Sequence, residues 1–353
     1  MDDAGRIDKQ AGRENEGKRT MKSRREFLKE AAAGAVLLGS TAAAEKLAFA
    51  GTTAGKSKVV IARDASLHGT GAQPDEQRVL NLVDKAMAAY TGRENPIAAW
   101  KSIIPADILA GKSIGLKVNG LGGRGISTHA ALTLAIAERL QQAGVRAKNI
   151  LVWERDARSL AACGMTVNTD SSRVLCYGND VGGYEDQPVP CGPVQVRLAK
   201  ILTRECAMVI NLPILKDHNM AGITFSMKNM YGVVDRPFLL HPNNCNPGVA
   251  DVNAIPAVRE KVWLTIGDAI SSVYDGGPGF HPERLWYPNA LVVGEDRVAL
   301  DHTAWQMIER QRAAAGVPTL EAVGRAPDYI RTAADAAHRL GTNDPGRIRL
   351  VEV

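Results

Sequence analysis

From residue 58 onward the chain alternates short apolar runs with amphipathic segments. Short runs rich in Val, Ile and Leu predict buried strands, and apolar residues at every third or fourth position predict helices. The predicted strands are 58–63, 113–118, 149–153, 204–212, 262–266, 290–293 and 348–351. The predicted helices are 74–89, 127–144, 297–315 and 327–340, with a helical turn at 159–163. This alternation predicts an α/β fold, in which a mainly parallel sheet carries helices on both faces.

Residues 51–353 are predicted to form a single large α/β domain, with two lobes, 51–195 and 196–353, around a central crevice as the alternative arrangement. No internal repeat or low-complexity tract follows residue 50. Glycine-rich stretches at 119–125 and 275–279 indicate loops of a site, not linkers between domains. At the start of the second helix, Ser127 or Thr128 is expected to be the capping residue, because a hydroxyl can accept from the first free backbone N–H groups.

The first fifty residues resemble an export signal. Residues 23–29 read S-R-R-E-F-L-K, a mildly apolar run follows at 31–44, and the A-x-A sequence of 48–50 resembles a cleavage site. The paired arginines are typical of the bacterial twin-arginine pathway, so we expect the twin-arginine translocase as a partner and the periplasm as the location. The apolar run is too short and too weak for a stable membrane span. An attached amphipathic helix is the alternative, and Met21 is a second possible start.

Composition excludes several classes of protein. Hydrophobic residues make up 45% of the chain and charged residues 23%, which is typical of globular proteins and excludes a disordered or collagen-like chain. The net charge is only +5 and is evenly spread, and aromatic residues make up 5%. We therefore expect no nucleic-acid partner, since neither a basic patch nor a base-stacking surface is indicated.

Five cysteines occur, and none of them forms a C-x-x-C pair. A ferredoxin-type iron–sulfur motif and a zinc knuckle of the usual spacing are therefore absent. The odd number requires at least one free thiol, and one or two disulfides are compatible with an oxidising compartment. The cysteines are Cys163, Cys176, Cys191, Cys206 and Cys245.

A glycine-rich loop, Gly120 to Gly125, follows the second predicted strand and matches G-x-G-x-x-G. Such a loop before a helix can hold a dinucleotide pyrophosphate, which makes an NAD-dependent dehydrogenase one hypothesis. The acid expected about 20 residues later is replaced by the more distant Glu154, so the match is weak. A general anion or carboxylate site with Arg124, or a tight turn that packs helix on sheet, is equally compatible with this loop.

The densest group of polar residues lies between 211 and 241, directly after a buried strand. In α/β sheets the ligand crevice lies beyond the carboxyl ends of the strands. We therefore predict that His218, Lys228 and Lys216 are catalytic, because a desolvated lysine or a histidine can exchange protons near neutral pH. Further residues are predicted to bind substrate at this crevice: Arg124, Asn119, Asn229 and Thr224.

The segment reads N-L-P-x-x-K-x-H-x-x-x-G-x-T-x-x-x-K-N-x-x-G and resembles the core motif of the domain of unknown function 362 family. The resemblance continues in D-V-N-A-I-P at 251–256, L-T-I-G-D at 264–268, G-G-P at 276–278 and D-R-V-A-L-D at 296–301. It covers most of residues 57–305 and implies the family's α/β fold. Some members of the family carry a ferredoxin module, for which this chain has no cysteine run.

A more distant resemblance is to the nickel-pincer lactate racemase family. In that family a lysine anchors the cofactor, and histidines serve as metal ligand and as acid or base. This chain has a similar order of residues along the sequence, with His218, then Lys228, then His241. The resemblance implies a metal ion or a nickel-pincer-like cofactor, and Asp268 joins His218 and His241 as a predicted metal ligand. The Gly-x-His motif expected at the end of the third strand reads Glu154-Arg155-Asp156 here, so one of the two acid/base histidines is missing, which argues against lactate racemisation itself.

Three functions follow as hypotheses. The first is a periplasmic enzyme, a metal-dependent isomerase or oxidoreductase, that acts on a small carboxylate or hydroxy acid by proton or hydride transfer. The second is a non-catalytic periplasmic protein that binds a small anion or a metal, or assists electron transfer. The third is the NAD-dependent dehydrogenase.

Overall fold

A computed structural model describes residues 55–67, 74–123 and 125–353. The predicted export signal, residues 1–50, and the predicted ligand Arg124 lie outside these residues. The strands are β1 (Ser57–Arg63), β2 (Ser113–Lys117), β3 (Ile150–Trp153), β4 (Leu175–Cys176), β5 (Val189–Cys191), β6 (Val194–Val196), β7 (Cys206–Asn211), β8 (Lys216–His218), β9 (Gly222–Thr224), β10 (Val262–Ala269), β11 (Ser272–Val273), β12 (Leu285–Trp286), β13 (Ala290–Gly294) and β14 (Ile348–Glu352). The α-helices are α1 (Glu76–Thr91), α2 (Pro96–Ile103), α3 (Ala106–Leu109), α4 (Ala130–Gln142), α5 (Ala157–Ala162), α6 (Asn179–Gly182), α7 (Gly248–Ala254), α8 (Pro256–Lys261), α9 (Arg297–Ala314) and α10 (Tyr329–Ala334).

Eight strands form one sheet in the order β14-β1-β13-β10-β7-β2-β3-β4. Neighbouring strands are parallel except at β13, which runs antiparallel to both β1 and β10. The register at the centre pairs Leu116 of β2 with Ile210 of β7. The predicted α/β fold with a mainly parallel sheet is therefore confirmed.

Both faces of this sheet are covered. Four successive residues of β1, from Val59 to Ala62, are fully buried, although successive side chains of a strand point to opposite faces. Helix α1 and helix α9 both pack on β1 and β13. Burial of each large aliphatic side chain contributes about 1.5–3 kcal/mol, so the continuous apolar runs of the central strands supply much of the stability.

The helix boundaries follow the predicted ones in part. Helix α1 begins after Asp75, whose carboxylate accepts from the Arg78 backbone N–H at 2.9 Å. Helix α4 begins later than predicted, with His129 as its N-cap. The predicted cap Thr128 instead donates to the Leu212 carbonyl at 2.7 Å. The capping prediction was wrong because this hydroxyl joins the chain after β2 to the end of β7.

The predicted helix 327–340 is much shorter in the structure, where α10 ends at Ala334. Asp335 adopts an extended conformation, and its carboxylate accepts from the backbone N–H groups of Ala337 and His338 at 2.8 Å each. These local hydrogen bonds compete with the helical ones and stop the helix. The predicted helix 297–315 agrees closely with α9.

Three short antiparallel hairpins, β5–β6, β8–β9 and β11–β12, were not predicted. Their strands of two or three residues are too short to show a periodicity. All five cysteines are buried and form no disulfide. In the part of the chain that the structure describes, no helix is both long enough and apolar enough to cross a membrane.

Candidate functional site

Strands β10, β7, β2 and β3 are adjacent and parallel, so their carboxyl ends meet at one edge of the sheet. Polar residues cluster there, as expected for an α/β sheet. Strand β2 ends at Lys117, strand β7 ends at Asn211, and Glu154 directly follows β3. All three side chains are buried, with at most 4% of their surface exposed.

Three asparagines form a buried network at this edge. The Asn229 amide donates to Asn211 Oδ1 at 2.7 Å, and Asn119 donates to Asn229 Oδ1 at 3.0 Å. Asn211 in turn donates to the Ser226 carbonyl at 2.9 Å. The structure thus brings the predicted substrate ligands Asn119 and Asn229 together, but their side-chain amides are hydrogen-bonded to each other. Their observed contacts fix the segment around Asn229 onto β2 and β7.

A buried ion pair lies beside this network. Lys117 Nζ is 2.9 Å from Glu154 Oε1 and donates to the Val118 carbonyl at 2.8 Å. Gly232 packs directly on the pair, since a Cβ at this position would lie 2.8 Å from Lys117 Nζ. Glu154 therefore has a partner inside the protein, and its carboxylate is engaged by Lys117.

Lys216 has a different environment from the one expected of a catalytic lysine. Its ammonium donates to the Leu121 carbonyl, to the Ile126 carbonyl at 3.1 Å and to Asn119 Oδ1 at 3.3 Å. The side chain is fully buried, and burial lowers its pKa to about 7. Since these contacts use all three N–H groups, Lys216 holds the glycine-rich loop in place, and we assign it a positioning role.

The same contacts argue against a pyrophosphate at the glycine-rich loop. Carbonyl oxygens of Leu121 and Ile126 point at the Lys216 ammonium, whereas a pyrophosphate requires backbone N–H groups. Gly122 has a φ of 116°, and a Cβ there would lie 2.4 Å from the Pro278 carbonyl oxygen. The glycine therefore allows two backbone segments of the protein to approach each other, and a side chain at position 122 would not fit between them.

The hairpin β8–β9 carries Lys216 and His218 and is anchored by the residue between them. Asp217 is fully buried, accepts from Arg325 Nη1 at 2.9 Å and accepts from the Gly277 backbone N–H at 2.8 Å. Burial raises the pKa of Asp217 to about 6, although Arg325 opposes the shift. Thr224 pairs with Lys216 across the hairpin and is buried, so the structure places it in the scaffold beside the site.

The next segment, a 3₁₀ helix from Lys228 to Val233, is held at its start by buried groups. The backbone N–H of Met227 donates to the Asp301 carboxylate at 3.3 Å, and Asn253 donates to the Met227 carbonyl at 2.9 Å. Tyr329 donates to Asp301 at 3.1 Å. These contacts determine where Lys228 enters the crevice.

Lys228 is a buried cation without an acidic partner in the described residues. Its Nζ lies 3.4 Å from the centre of the Tyr231 ring, and only 6% of the residue is exposed. Burial lowers its pKa to about 8, while the nearby Cys245 acts in the opposite direction. At neutral pH the side chain is therefore mostly charged, with a minor fraction present as a nucleophilic amine.

His218 lies close to this lysine and is held in one tautomer. Its Nδ1 accepts from the backbone N–H groups of Met220 at 3.1 Å and Ala221 at 3.2 Å. Burial, followed by the charge of Lys228, lowers the pKa of His218 to about 3. The ring is neutral, and because Nδ1 is an acceptor, the proton is on Nε2.

His241 completes the group and has the opposite tautomer. Its Nδ1 is 2.9 Å from the Pro237 carbonyl oxygen and so donates, which leaves the lone pair on Nε2. The ring is 6.4 Å from the His218 ring and packs edge-on against Tyr231 at 5.3 Å. Burial and Lys228 lower its pKa as well. The structure therefore brings His218, Lys228 and His241 together, and we call this group the basic crevice.

The third predicted metal ligand, Asp268, is not part of this group. Its Oδ2 accepts from the backbone N–H of His129 at 2.8 Å and lies 2.9 Å from His129 Nδ1, and its Oδ1 accepts from the Ile270 N–H. Across the residues described, no three His, Cys, Asp or Glu side chains are placed to hold a metal ion. The predicted set His218, His241 and Asp268 is thus divided between two places.

Sequence reasoning missed several residues that shape the crevice. Tyr231 lies under the Lys228 ammonium, and Cys245 is buried beside both. The K-N-x-Y-G spacing could have indicated Tyr231, since a residue three positions after a lysine in a helical segment lies on the same side. Cys245 had no such signal, because its position depends on a turn with residues of positive φ at 243–245.

The sequence profile of a domain of unknown function, DUF362, matches residues 114–306. The chain belongs to the DUF362 family. The match includes the ends of β2, β3, β7 and β10 together with the basic crevice. No curated protein matches the chain.

Among solved structures, the chain is similar to a structural genomics protein from Thermotoga maritima. The sequences are 10% identical, the similarity covers 70% of this chain and 61% of that one, and the TM-score is 0.44. The chain therefore spans about three fifths of that protein's length.

Proposed function

We propose that this DUF362 protein is an enzyme that binds a small carboxylate or hydroxy acid in the basic crevice and transfers a proton or hydride there. The observation that carries the proposal is the convergence of His218, Lys228 and His241 without an acidic partner among the described residues. Removal of a cation from water is costly unless an opposite charge compensates it. A bound anion would supply that charge.

The low exposure of the crevice residues favours a small ligand. His218 is 4% exposed and Lys228 is 6% exposed, whereas His241 is partly exposed. Lys228 is suited to hold a carboxylate, since an ammonium gains most from an anion in a desolvated place. His218 can donate from Nε2 to an oxygen that becomes negative during reaction, as a neutral imidazole with a low pKa can do.

A metal held by protein side chains alone does not fit these residues. His218 carries its proton on Nε2, and Asp268 is engaged with His129. A cofactor that brings its own metal ligands does fit, because Lys228 offers an amine for attachment and His241 offers one lone pair. The contact from His241 Nδ1 to a carbonyl is the arrangement that orients metal-binding histidines. If bound there, such a nickel-pincer-like cofactor would provide the group that accepts a hydride from the substrate.

Export to the periplasm is part of the proposal. It is supported by the paired arginines at 24 and 25 and by the A-x-A sequence at 48–50. The twin-arginine pathway carries folded proteins, which is compatible with a cofactor attached before export. An accessory protein that only binds an anion is the second candidate, because the same buried Lys228 ammonium favours anion binding without any reaction.

The test uses protein exported by its own signal and purified without chelators. We expect close to one metal ion per chain by elemental analysis, and an added mass on the peptide that contains Lys228. The matched variant Lys228→Arg should keep the fold and lose the added mass. Protein that carries neither metal nor added mass, and is not stabilised by any small hydroxy acid, would refute the proposal.

Turnover separates the two candidates. An enzyme that removes the α-hydrogen of a hydroxy acid as a proton should exchange it with deuterium in D₂O, which NMR detects, whereas one that removes it as a hydride should change the configuration of the acid without exchange, which chiral chromatography detects. An accessory protein should bind the acid without either change. His218→Gln should reduce the exchange rate by about 10²–10⁴-fold if His218 is the proton donor.

A further inference from the structure

A second group of polar side chains lies outside the basic crevice and involves His129, Asp268 and Ser271. Asp268 Oδ2 is 2.9 Å from His129 Nδ1, and His129 Nε2 is 3.4 Å from Ser271 Oγ. Asp268 is fully buried, and Ser271 is 3% exposed. A hydroxyl near a base that a third group orients is the general signature of an activated nucleophile.

The hydrogen bonds set the tautomer that such a chain requires. Asp268 Oδ2 accepts from both the backbone N–H and Nδ1–H of His129, so the ring is held at two points. Since Nδ1 carries the proton, the lone pair of Nε2 is directed at Ser271 Oγ. Burial opposes a charge on His129, but the charge and hydrogen bond of Asp268 outweigh it and raise the pKa of His129. An imidazolium formed during a reaction is therefore stabilised.

The local backbone explains why these three residues meet. Asp268 lies in β10 at the polar edge of the sheet, and Ser271 lies in the short bend that follows that strand. His129 is the N-cap residue of α4, and its ring faces the end of β10. A distance of 3.4 Å is longer than an ideal hydrogen bond, as is common for nucleophile and base in the absence of substrate.

The geometry points to Ser271 as the nucleophile of an acyl-transfer site that acts on esters of small carboxylic acids, with His129 as base and Asp268 as its orienting group. Ser271 Oγ attacks the ester carbonyl carbon, and its proton passes to His129 Nε2. The imidazolium returns this proton to the departing alcohol, and the acyl group stays on Ser271. Water then attacks the acyl group and gives its proton to His129, which releases the acid and restores the serine. The near-complete burial of Ser271 restricts the acyl group to a small one.

This inference does not depend on the proposed function, because it uses none of the three residues of the basic crevice. Each proposal can therefore fail without the other. Loss of metal or of Lys228 should leave the reactivity of Ser271 unchanged, and replacement of Ser271 should leave anion binding at the basic crevice unchanged.

The experiment treats the full-length protein with a small fluorophosphonate and locates the adduct by peptide mass spectrometry. We expect one adduct per chain on Ser271, none in Ser271→Ala, and a labelling rate at least about 100-fold lower in His129→Gln. Ser272→Ala is the matched control, since it removes the neighbouring buried hydroxyl and should label at the normal rate. Circular dichroism and thermal unfolding verify that each variant is folded.

A folded protein without an adduct on Ser271 would overturn the inference, and so would an adduct that forms equally fast in folded His129→Gln. If His129→Gln does not fold, the wild-type protein and Ser271→Ala remain decisive. In that case a second measurement, release of p-nitrophenol from p-nitrophenyl acetate, should show an initial burst of one equivalent in the wild type and none in Ser271→Ala.

Discussion

His218 and His241 lie with their rings 6.4 Å apart, and the backbone holds them in opposite tautomers. His218 Nδ1 accepts two backbone hydrogen bonds, whereas His241 Nδ1 donates one to a carbonyl. Two similar side chains therefore offer a proton and a lone pair to the same crevice. In the proposed function this difference would give them distinct roles, with His218 as donor to a substrate oxygen and His241 as the residue that offers a lone pair to a metal.

Lys228 should make anion binding dependent on pH. Its pKa is lowered to about 8, so it loses its charge as the pH rises through that value, while His218, with a pKa of about 3, stays neutral from pH 5 to 9. In protein made without a cofactor, we expect the affinity for a small hydroxy acid to be constant between pH 6 and 7 and to fall above pH 8. Isothermal titration calorimetry measures this directly.

The control for this prediction is Lys228→Gln, which keeps a polar side chain and removes the charge. It should bind at least about 10-fold more weakly at pH 7, since loss of a desolvated charge–charge hydrogen bond costs 1.5–3 kcal/mol or more. It should also lose the pH dependence. An unchanged pH profile in this variant would show that another group controls binding.

The fold was largely predictable because its strands are long apolar runs. Buried parallel strands such as β7 lack alternation and stand out as continuous hydrophobic segments, and α9 has a clear capping aspartate in Asp296. The hairpin β8–β9 was not predictable, because it depends on contacts of Asp217 with Arg325 and Gly277, both distant in sequence. Long-range pairing of this kind leaves no local pattern.

The candidate site was predictable only in part for a related physical reason. The sequence singled out His218 and Lys228 because polar residues follow a buried strand there, at the edge where α/β sheets hold ligands. It did not separate Lys216 from them, because residue type does not show whether an ammonium faces backbone carbonyls or a crevice. It also did not indicate His129, which approaches Asp268 only through the packing of α4 against the end of β10.

The buried pair of Lys117 and Glu154 provides a stability prediction. Lys117→Met should destabilise the protein by about 3–5 kcal/mol, because it leaves the Glu154 carboxylate buried without a partner. The double variant Lys117→Met, Glu154→Leu should recover most of the loss. The exposed pair of Lys112 and Asp107 is the matched control, and Lys112→Met should cost less than about 1 kcal/mol. Urea unfolding gives these free energies, and equal losses at the two sites would contradict the prediction.

All five cysteines should be unreactive in the native protein. They are buried free thiols, and burial raises the pKa of Cys206 and of Cys191 to about 12, so the reactive thiolate is scarce. We expect no rapid reaction of the reduced protein with Ellman's reagent before unfolding and five reactive thiols in guanidinium chloride. A thiol that reacts quickly in the folded protein would place a cysteine closer to solvent than the structure does.

Asp301 should make stability fall as pH rises. Its burial raises the pKa to about 7, well above the value of an unfolded aspartate, despite its hydrogen bond from Met227. The folded state then binds more protons than the unfolded state between about pH 4 and pH 7, so the contribution of this group is complete below pH 4 and is lost towards pH 7. Asp301→Asn should remove this component, whereas Asp186→Asn, at an exposed site, should not. Urea unfolding at several pH values measures the difference between the variants.

Lys216 and Lys228 provide a direct test of which lysine is structural. Lys216→Met leaves the carbonyls of Leu121 and Ile126 without their donor, which should cost about 1–3 kcal/mol for each buried acceptor. Lys228→Met removes no hydrogen bond within the described residues and places an apolar chain beside Tyr231, so stability should stay the same or rise. Binding of a small hydroxy acid should show the reverse order, with the larger loss in Lys228→Met once both variants are measured well below their melting temperatures. If Lys228→Met proved the more destabilised variant while Lys216→Met lost binding without losing stability, the roles assigned to the two lysines would have to be exchanged.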